Sequence, residues 1–411
     1  MSSSDLLVGL DIGTTKICCL VAEPNEAGGV DVRGMGTAPS TGMRKGVVTN
    51  MERTVASIRQ AVDEAQRMAG CRIGSAYVGV AGGHVSSFNT SGMIAVENKT
   101  ITQKDIDRVK GTALAINIPL DREILHTMTQ EFKVDDQPGI LDPPVGMNGV
   151  RLEVQVHVIT GAINAVHNVI NCALQAGLEV TDIVLESVAS SEAVLTPGER
   201  QMGVALLDFG GGTTDIAVYS GSRIRHTAVL AMGGGNLTGD LAQSLHVSLE
   251  TAELLKIRHG ACDPALVLKD QEIDALAIGD LGPKKVRLST VCGLLADRVE
   301  EIMEFIDNEF VRSGFDERIN EVVVTGGSSL LPGVPELGRQ ILERPVRRGL
   351  PGHIGGLTEI VRDPRYATAV GLCLFSLKQE EGGDLKSLGY RGGGRSIFGR
   401  IRDRLASFFK G

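Results

Sequence analysis

One pattern of residues that could bind phosphate occurs twice in the sequence. "LDIGTTK", residues 10–16, has a near copy in "LDFGGGTTD", residues 207–215. Each copy places an Asp at the end of an apolar run, which predicts a strand, and continues into a glycine turn and paired threonines. Such a turn directs several backbone N–H groups into one concavity, and the carboxylate can hold hydrated Mg²⁺ against phosphates. Either copy alone is equally well explained by a tight turn, but two copies predict a duplicated domain with a nucleotide clamped between its halves.

The two copies are not equivalent. Lys16 follows the Thr-Thr pair in the first copy, where Asp215 follows it in the second. We therefore expect Lys16 either to supply positive charge to the phosphates or to be an ordinary solvated lysine, and the sequence leaves both possibilities open.

A third segment, "VVVTGGSSLLPG", predicts a buried strand followed by a Gly-Gly turn and then a helix. A turn of two glycines lets a flat ring approach the backbone closely. A simple connection from strand to helix explains the segment equally well when it is considered alone.

Charge and cysteine content limit the function classes. The 411 residues carry a formal net charge of -9, which would repel the phosphates of nucleic acid, so we expect no nucleic-acid partner. The basic residues concentrate after Arg395, which suggests a tail with its own partner. The 7 cysteines form no CxxC pair and lie mostly in apolar runs, as is typical of reduced core residues in a cytoplasmic protein. We find neither an export signal nor an apolar run of about 18 residues, so we expect no membrane-spanning segment.

Helical periodicity divides the rest of the chain. An amphipathic helix is predicted over residues 52–69, with Gly70 as its stop, and another over residues 162–176. Residues 233–313 are predicted to be mainly helical. The composition of the sequence changes between residues 84 and 161, where strand-like segments replace the helical periodicity, which indicates an inserted subdomain.

Taken together, the two phosphate turns and the Gly-Gly turn resemble the nucleotide-binding pattern of the superfamily of actin, sugar kinases and heat-shock ATPases. A finer resemblance is to the FtsA family of bacterial cell-division proteins. It is carried by "ASSEAVLTPGERQMGVALLDFGGGTTDIAVYSGSRIRHT" and "AELLKIRHGAC", and extends from Leu6 to about Leu377 and into the tail.

The resemblance implies an α/β, actin-like duplicated fold with two lobes, in which the usual subdomain 1B is missing and a subdomain 1C is inserted elsewhere. The expected boundaries are 1–83, 162–199 and 361–377 for subdomain 1A, 84–161 for 1C, 200–235 and 313–360 for 2A, 236–312 for 2B, 378–395 for a flexible linker and 396–411 for a C-terminal amphipathic helix.

The resemblance also implies that ATP and Mg²⁺ bind between the lobes. Asp11 and Asp208 would position the metal through water, and Glu253 and Lys256 would face the ribose and base, although an ordinary surface salt bridge also explains that pair. Glu186 would help to place an attacking water, with turnover that is slow or incidental, so enzymatic activity stays open. The other residues expected to contact the nucleotide are Gly13, Thr14, Thr15, Lys16, Gly210, Gly211, Gly212, Thr213, Thr214, Gly233, Gly234, Gly326, Gly327 and Ser328.

The segment "SIFGRIRDRLASFFKG" has the pattern of a helix that lies in a membrane surface. On a helical wheel, its large apolar residues fall within about a third of the circumference, with arginines bordering that arc. These predicted membrane-binding residues are Ile397, Phe398, Arg400, Ile401, Arg402, Arg404, Leu405, Phe408 and Phe409. A helix docked on the protein's own core is the alternative, which the glycine-rich segment before it disfavours.

The function implied by the resemblance is an ATP-binding protein that polymerises and tethers the FtsZ ring to the cytoplasmic face of the cell membrane at the division site. The expected partners are the C-terminal peptide of FtsZ, further copies of the chain, an anionic membrane surface and later division proteins that bind 1C. Arg298 and Glu301 in 2B would contact the FtsZ peptide, unless they are plain solvated charges. Two alternatives are a pilus-assembly adaptor and a small-molecule kinase of the same superfamily.

Overall fold

The computed structural model describes residues 6–263, 270–276, 283–380 and 386–387. All of the predicted membrane-binding residues, from Ile397 to Phe409, lie outside the described residues, as does most of the predicted linker. Among the residues that are described, no helix is both long enough and apolar enough to cross a membrane.

The strands in the described part are β1 (Leu7–Ile12), β2 (Lys16–Pro24), β3 (Val30–Pro39), β4 (Met43–Arg44), β5 (Val47–Val48), β6 (Ser75–Val80), β7 (Ser86–Ala95), β8 (Arg122–Val134), β9 (Gln137–Ile140), β10 (Arg151–Ala162), β11 (Glu179–Leu185), β12 (Val204–Phe209), β13 (Thr214–Ser220), β14 (Arg223–Leu230), β15 (Glu272–Leu276), β16 (Pro283–Arg287), β17 (Glu321–Thr325), β18 (Val346–Arg348), β19 (Ile354–Gly356) and β20 (Lys386–Ser387).

The helices in the same residues are α1 (Met51–Ala69), α2 (Gln103–Ala113), α3 (Ile163–Gln175), α4 (Glu186–Val194), α5 (Pro197–Met202), α6 (Gly234–Leu245), α7 (Leu249–His259), α8 (Leu288–Ser313), α9 (Val334–Leu342), α10 (Thr358–Val361) and α11 (Ala367–Glu380). Short 3-10 helices cover Asp316–Arg318, Gly327–Leu330 and Pro364–Tyr366.

Two sheets repeat one topology. The first contains the strand order β3-β2-β1-β6-β11, and the second has the order β14-β13-β12-β17-β18. In each order the first two pairings are antiparallel and the last two are parallel. The first sheet is extended by β19, which pairs with β3. The predicted duplication is therefore present, and we call the halves built on the first and second sheets the first and second lobes.

Two apolar cores lie on opposite faces of the second sheet. In one, buried side chains of α1, α3, α4 and α11 pack with the first sheet and with Val204, Leu206, Ala217 and Tyr219 of the second. In the other, buried side chains of α6, α7, α8 and α9 pack on the opposite face of the second sheet. Helix α1 is amphipathic as predicted, and Val55, Ile58 and Val62 form its buried stripe. Asn50 caps its first turn, and Gly70 ends it with a φ of 66°.

Helices α4 and α11 pack tightly against each other inside the first lobe. A Cβ atom at Gly371 would collide with the carbonyl oxygen of Ala189, so only glycine permits this approach of the two backbones. Helix α4 begins at Glu186, and α11 begins at Ala367 directly after the 3-10 turn Pro364–Tyr366.

The chain between β6 and α3 forms a separate sheet, β8-β10-β7 with β9, covered by α2, and β20 from the C-terminal part of the chain pairs with β8. Ile106 and Val109 of α2 pack on Phe132 and Leu152 in a core of their own. We call β7–β10 and α2 the inserted domain. In the second lobe, residues 233–313 are mainly helical as predicted. They also contain the β15–β16 hairpin, which helical periodicity does not predict.

Candidate functional site

The two phosphate turns close equivalent hairpins. Ile12 pairs with Ile17 at the end of β1–β2, and Phe209 pairs with Thr214 at the end of β12–β13. The turns are therefore residues 13–16 and 210–213, which have equal length. This register makes Thr213 the counterpart of Lys16, because the Thr-Thr pair is displaced by two residues between the copies.

The expectation that Lys16 and Asp215 occupy equivalent places is wrong for this reason. Asp215 lies opposite Asp208 in the second hairpin, and Cys18 lies opposite Asp11 in the first. The second hairpin therefore carries a second carboxylate at a position where the first has a buried thiol.

The two turns face each other in direct contact. A Cβ atom at Gly211 would lie 2.7 Å from the hydroxyl oxygen of Thr15, and one at Gly212 would lie 2.5 Å from that of Thr14. Side chains therefore cannot be added to the second turn without separating the lobes. The glycines keep the two sets of backbone N–H groups close to one cavity.

That cavity has a volume of about 360 Å³. It collects most of the predicted nucleotide contacts and the predicted catalytic residue. The predicted residues that line it are Asp11, Gly13, Thr14, Thr15, Lys16, Glu186, Asp208, Gly210, Gly211, Gly212, Thr213, Gly234, Glu253, Lys256, Gly326, Gly327 and Ser328.

Two predicted contacts are placed beside the cavity instead of in its wall. Thr214 is buried at the start of β13, where its hydroxyl donates to the carbonyl oxygen of Met232 at 2.9 Å. Gly233 precedes α6, and its N–H donates to the side chain of Asn236 at 3.0 Å.

Sequence reasoning missed an apolar wall of the cavity. Ile257 and the segment Leu330–Pro332 line it next to the Gly326–Ser328 turn. Such a wall suits a flat, largely apolar ring. The signal was available, since Ile257 follows Lys256 directly and Leu330 follows the Gly-Gly-Ser-Ser segment. The remaining residues that line the cavity without having been predicted are Gly235, Leu237, Pro364, Arg365 and Thr368.

Glu253 and Lys256 form an ion pair at 2.7 Å in the wall of the cavity. Lys256 Nζ also donates to the carbonyl oxygen of Gly234 at 3.0 Å and to the hydroxyl of Thr238 at 2.8 Å. The same hydroxyl donates to Glu253. The pair is thus both a salt bridge and part of the cavity, and it fixes the start of α6 beside the second phosphate turn.

Lys16 lies in the wall of the cavity and does not extend into solvent. Its Nζ is 3.8 Å from the Asp11 carboxylate, and it donates to the carbonyl oxygen of Arg365 at 2.6 Å. The ammonium group also lies 4.3 Å from the centre of the Tyr366 ring. These contacts hold the cation between the first phosphate turn and the start of α11.

Carboxylates concentrate around the two turns. Burial raises the pKa of Asp11 to about 6, against the opposing effect of Lys16 and with a contribution from Asp208. Burial raises the pKa of Glu186 well above its ordinary value, and the charges of Asp11 and Asp215 add to the rise. Burial also raises the pKa of Asp215 well above its ordinary value. Negative charge at this end of the cavity is therefore costly unless a cation joins it.

The described residues contain no group of three or more His, Cys, Asp or Glu side chains arranged to bind a metal ion directly. One or two carboxylates facing a cavity suit Mg²⁺, which keeps several waters and takes further oxygens from phosphates. Asp11 and Asp208 line the cavity and fit that role. Behind them, the buried Oδ1 of Asp215 has no hydrogen-bond partner within the described part of the chain.

Arg298 and Glu301, the predicted peptide contacts, lie one turn apart on α8 and form an ion pair with each other. Arg298 Nη2 also donates to Oδ1 of Asp240 on α6 at 3.0 Å. All three side chains are partly exposed. They form a charged network on the surface of the second lobe.

Comparison with known proteins identifies the family. A family model of the cell division protein FtsA matches residues 205–371, and one of the SHS2 domain inserted in FtsA matches residues 82–160. The chain is 43% identical to the cell division protein FtsA of Pseudomonas aeruginosa over 384 residues, which cover 93% of this chain and 92% of that protein. The chain belongs to the FtsA family of cell division proteins. It is also 40% identical to the FtsA of Neisseria meningitidis, over 97% of this chain and 98% of that protein.

Solved structures show the fold of this FtsA-family chain. The PilM-PilN type IV pilus biogenesis complex contains a chain with a TM-score of 0.65 at 16% identity, covering 90% of this chain and 98% of that one. MreB5 of Spiroplasma citri bound to ADP has a TM-score of 0.55 at 15% identity, covering 93% and 100%. The predicted family and the predicted α/β, actin-like fold are confirmed, and the chain is a cell-division protein with that fold. The pilus protein is similar at the level of fold only.

Proposed function

We propose that this FtsA-family chain binds ATP with Mg²⁺ in the cavity between its lobes. The observation that carries the proposal is the meeting of two like phosphate turns, each following a strand whose penultimate residue is an aspartate. Backbone N–H groups and threonine hydroxyls of both turns would hold the phosphates. The related fold of MreB5 was solved bound to ADP, which supports a nucleotide here.

The base would lie against the apolar wall formed by Ile257 and Leu330–Pro332, with Gly326 and Gly327 beneath it. Glu253 and Lys256 stand at the same end of the cavity and would contact the ribose and the base. Mg²⁺, held through water by Asp11 and Asp208, would neutralise part of the phosphate charge.

Hydrolysis is proposed to be slow. Glu186 lines the cavity, where it could help to position a water. Its raised pKa favours the protonated carboxyl, which is a poor proton acceptor at neutral pH. A protein that uses ATP binding for assembly has no need of rapid turnover.

We further propose that the chain polymerises and tethers the FtsZ ring to the cytoplasmic membrane through residues 396–411. One large apolar side chain contributes about 1.5 to 3 kcal/mol on full burial, and one basic residue about 1 kcal/mol near an anionic leaflet. Ordering each residue of the tail costs about 1 to 2 kcal/mol, so one tail binds weakly and several linked tails bind well. Filament formation and membrane attachment then reinforce each other.

The remaining contacts follow from the same proposal. The FtsZ C-terminal peptide would dock on subdomain 2B near Arg298 and Glu301, which form a charged network there with Asp240. Later division proteins would bind 1C. We also propose the subdomain boundaries that the resemblance implies. The SHS2 match over residues 82–160 supports an insertion at that place.

Sedimentation with anionic liposomes tests the proposal. The full chain and a variant lacking residues 396–411 are compared with and without ATP and Mg²⁺, and the pellets are inspected for filaments by electron microscopy. We expect nucleotide-dependent filaments on liposomes, lost with the tail. Equal sedimentation of both proteins would contradict the tether, and binding that ignores ATP would contradict the role of the nucleotide.

A further inference from the structure

The carboxylate of Asp208 is held by two hydroxyl groups. Ser190 Oγ donates to its Oδ2, and Thr368 Oγ1 donates to the same oxygen at 3.0 Å. The two hydroxyl oxygens lie 3.0 Å apart, within hydrogen-bonding distance of each other. The three side chains are buried and form a closed triangle of polar groups.

The triangle joins the two lobes. Asp208 is the penultimate residue of β12 in the second lobe. Ser190 belongs to α4, which contacts β12 and β13 of the second sheet, whereas Thr368 belongs to α11, which packs on β1, β2 and β6 of the first. The contact between Gly371 and Ala189 sets how closely these two helices approach. Both donors are therefore placed by packed helices, and the distance from Thr368 to Asp208 depends on the separation of the lobes.

Both hydroxyls donate to one carboxylate oxygen. Oδ1 of Asp208 receives no hydrogen bond from the residues that the structure describes, and the side chain lines the cavity. A carboxylate with one oxygen bonded from behind presents the other in a fixed direction. Asp11 differs, since its carboxylate has only the ion pair with Lys16 at 3.8 Å within the same described residues.

We propose that Ser190 and Thr368 are positioning residues that orient the Asp208 carboxylate for its water-mediated contact with Mg²⁺. This inference rests on the proposed ATP and Mg²⁺ site. It adds that a side chain from the helix packed on the first sheet, Thr368, helps to orient the metal contact of the second lobe. A hydrated metal is then bound well only at the lobe separation that keeps the triangle closed, so Mg²⁺ binding and lobe closure favour each other.

The test measures how Mg²⁺ tightens the binding of a fluorescent ATP analogue to the full chain. The dissociation constant of the analogue is determined at increasing Mg²⁺ concentrations for the parent, Ser190→Ala and Thr368→Val. We expect the Mg²⁺ concentration for half-maximal tightening to rise about 10- to 100-fold in each variant, as is typical when a residue that orients a metal ligand is lost. Binding of the analogue in excess EDTA should stay the same.

Two matched variants control for the loss of a buried hydroxyl. Ser187 is buried one turn earlier on α4, and its hydroxyl has no hydrogen-bond partner among the residues that the structure describes. Ser376 is buried on α11 and donates to the carbonyl oxygen of Cys373 at 2.8 Å. Ser187→Ala and Ser376→Ala should keep the Mg²⁺ response of the parent. Thr368→Ser retains the donor and should restore the response that Thr368→Val loses.

The outcomes separate the two proposals. If the parent binds the analogue without any response to Mg²⁺, the proposed ATP and Mg²⁺ site fails. If the parent responds but Ser190→Ala and Thr368→Val respond like Ser187→Ala, the positioning role is overturned. It is also overturned if Thr368→Ser behaves like Thr368→Val. The same holds if Ser190→Ala and Thr368→Val weaken binding of the analogue in excess EDTA as much as they weaken binding with Mg²⁺. Urea unfolding of each variant confirms that it is folded under the conditions of the titration.

Discussion

Glu192 accepts a hydrogen bond from Arg200 at 2.9 Å at the junction between the lobes. Its carboxylate is also paired with Lys378, which lies near the end of α11, while the Arg200 guanidinium lies 4.8 Å from the centre of the Tyr219 ring in the second sheet. One buried anion thereby ties α4, α11 and the connection into β12 together. The segment that leads to the C-terminal tail begins directly after this anchor.

Replacing Glu192 by Gln should destabilise the fold by about 3 kcal/mol, because two cations lose their buried partner. Urea unfolding measures the loss. Glu300 is exposed on α8, and Glu300→Gln should change the free energy of unfolding by less than about 0.5 kcal/mol. A loss of similar size in both variants would contradict the anchor.

The same ion pairs predict an acid limb of stability. Burial raises the pKa of Glu192, but Arg200 and Lys378 outweigh it and hold the pKa below its ordinary value of 4.5. The stabilisation is therefore complete above pH 4.5 and is lost as the pH falls through the lower pKa of the folded state. Unfolding curves between pH 6 and pH 3 should show a smaller acid loss for Glu192→Gln than for the parent.

Asp11→Asn should stabilise the nucleotide-free protein at pH 7 by about 3 kcal/mol while removing Mg²⁺-dependent nucleotide binding. Burial raises the pKa of Asp11 to about 6, so the folded state binds more protons than the unfolded state between about pH 4 and pH 6. Ionisation therefore costs stability as the pH rises through that window. Chemical unfolding without nucleotide at pH 5 and pH 7 tests the sign, and the advantage of the variant should shrink at pH 5.

A methyl group at Gly212 should block nucleotide binding. A Cβ atom there would lie 2.5 Å from the Thr14 hydroxyl oxygen, so Gly212→Ala must push the two phosphate turns apart. We expect the affinity for ATP with Mg²⁺ to fall by more than about tenfold, measured by calorimetry, since hydrogen bonds to charged phosphates are lost. Gly239→Ala places its Cβ in open space on α6 and serves as the control. Equal affinity in both variants would show that the contact between the turns does not matter.

The inserted domain should loosen from the second lobe in acid. His157 of β10 lies 2.7 Å from Asn89 Oδ1 and 3.0 Å from the hydroxyl of Thr227 on β14, and burial lowers its pKa to about 3. The unfolded side chain gains its proton near pH 6.5, so at pH 5 its burial costs about 2 kcal/mol more than at pH 7. Unfolding of His157→Asn should show a smaller loss between pH 7 and pH 5, whereas His259→Asn, at an exposed site on α7, should behave like the parent.

Part of this architecture can be predicted from the sequence because it depends on residues that are close together in the chain. The stripe of Val55, Ile58 and Val62 and the stop at Gly70 require only helical spacing and a residue that accepts a positive φ. The phosphate turns are equally local, since Asp, Gly and Thr follow one another within one hairpin. The β15–β16 hairpin was missed because it is short and its strands, such as "PKKVR", carry little apolar alternation.

The register of the hairpins corrected one local inference. A match of the two Thr-Thr pairs equates Lys16 with Asp215, whereas the backbone pairing equates Lys16 with Thr213. The two hairpins have the same register relative to Asp11 and Asp208, so the Thr-Thr pair lies two residues later in the second hairpin than in the first. A match of residue types does not reveal this shift, because both turns have the same length.

The sequence by itself determined that a duplicated α/β chain carries two phosphate turns with an aspartate before each, because those features depend on neighbouring residues. Only the tertiary structure decided how the carboxylates are held. Thr368 is 160 positions from Asp208 and 178 from Ser190, and Lys378 is 186 positions from Glu192. No periodicity links residues so far apart, and they meet only because α4 and α11 pack together where the first lobe borders the second.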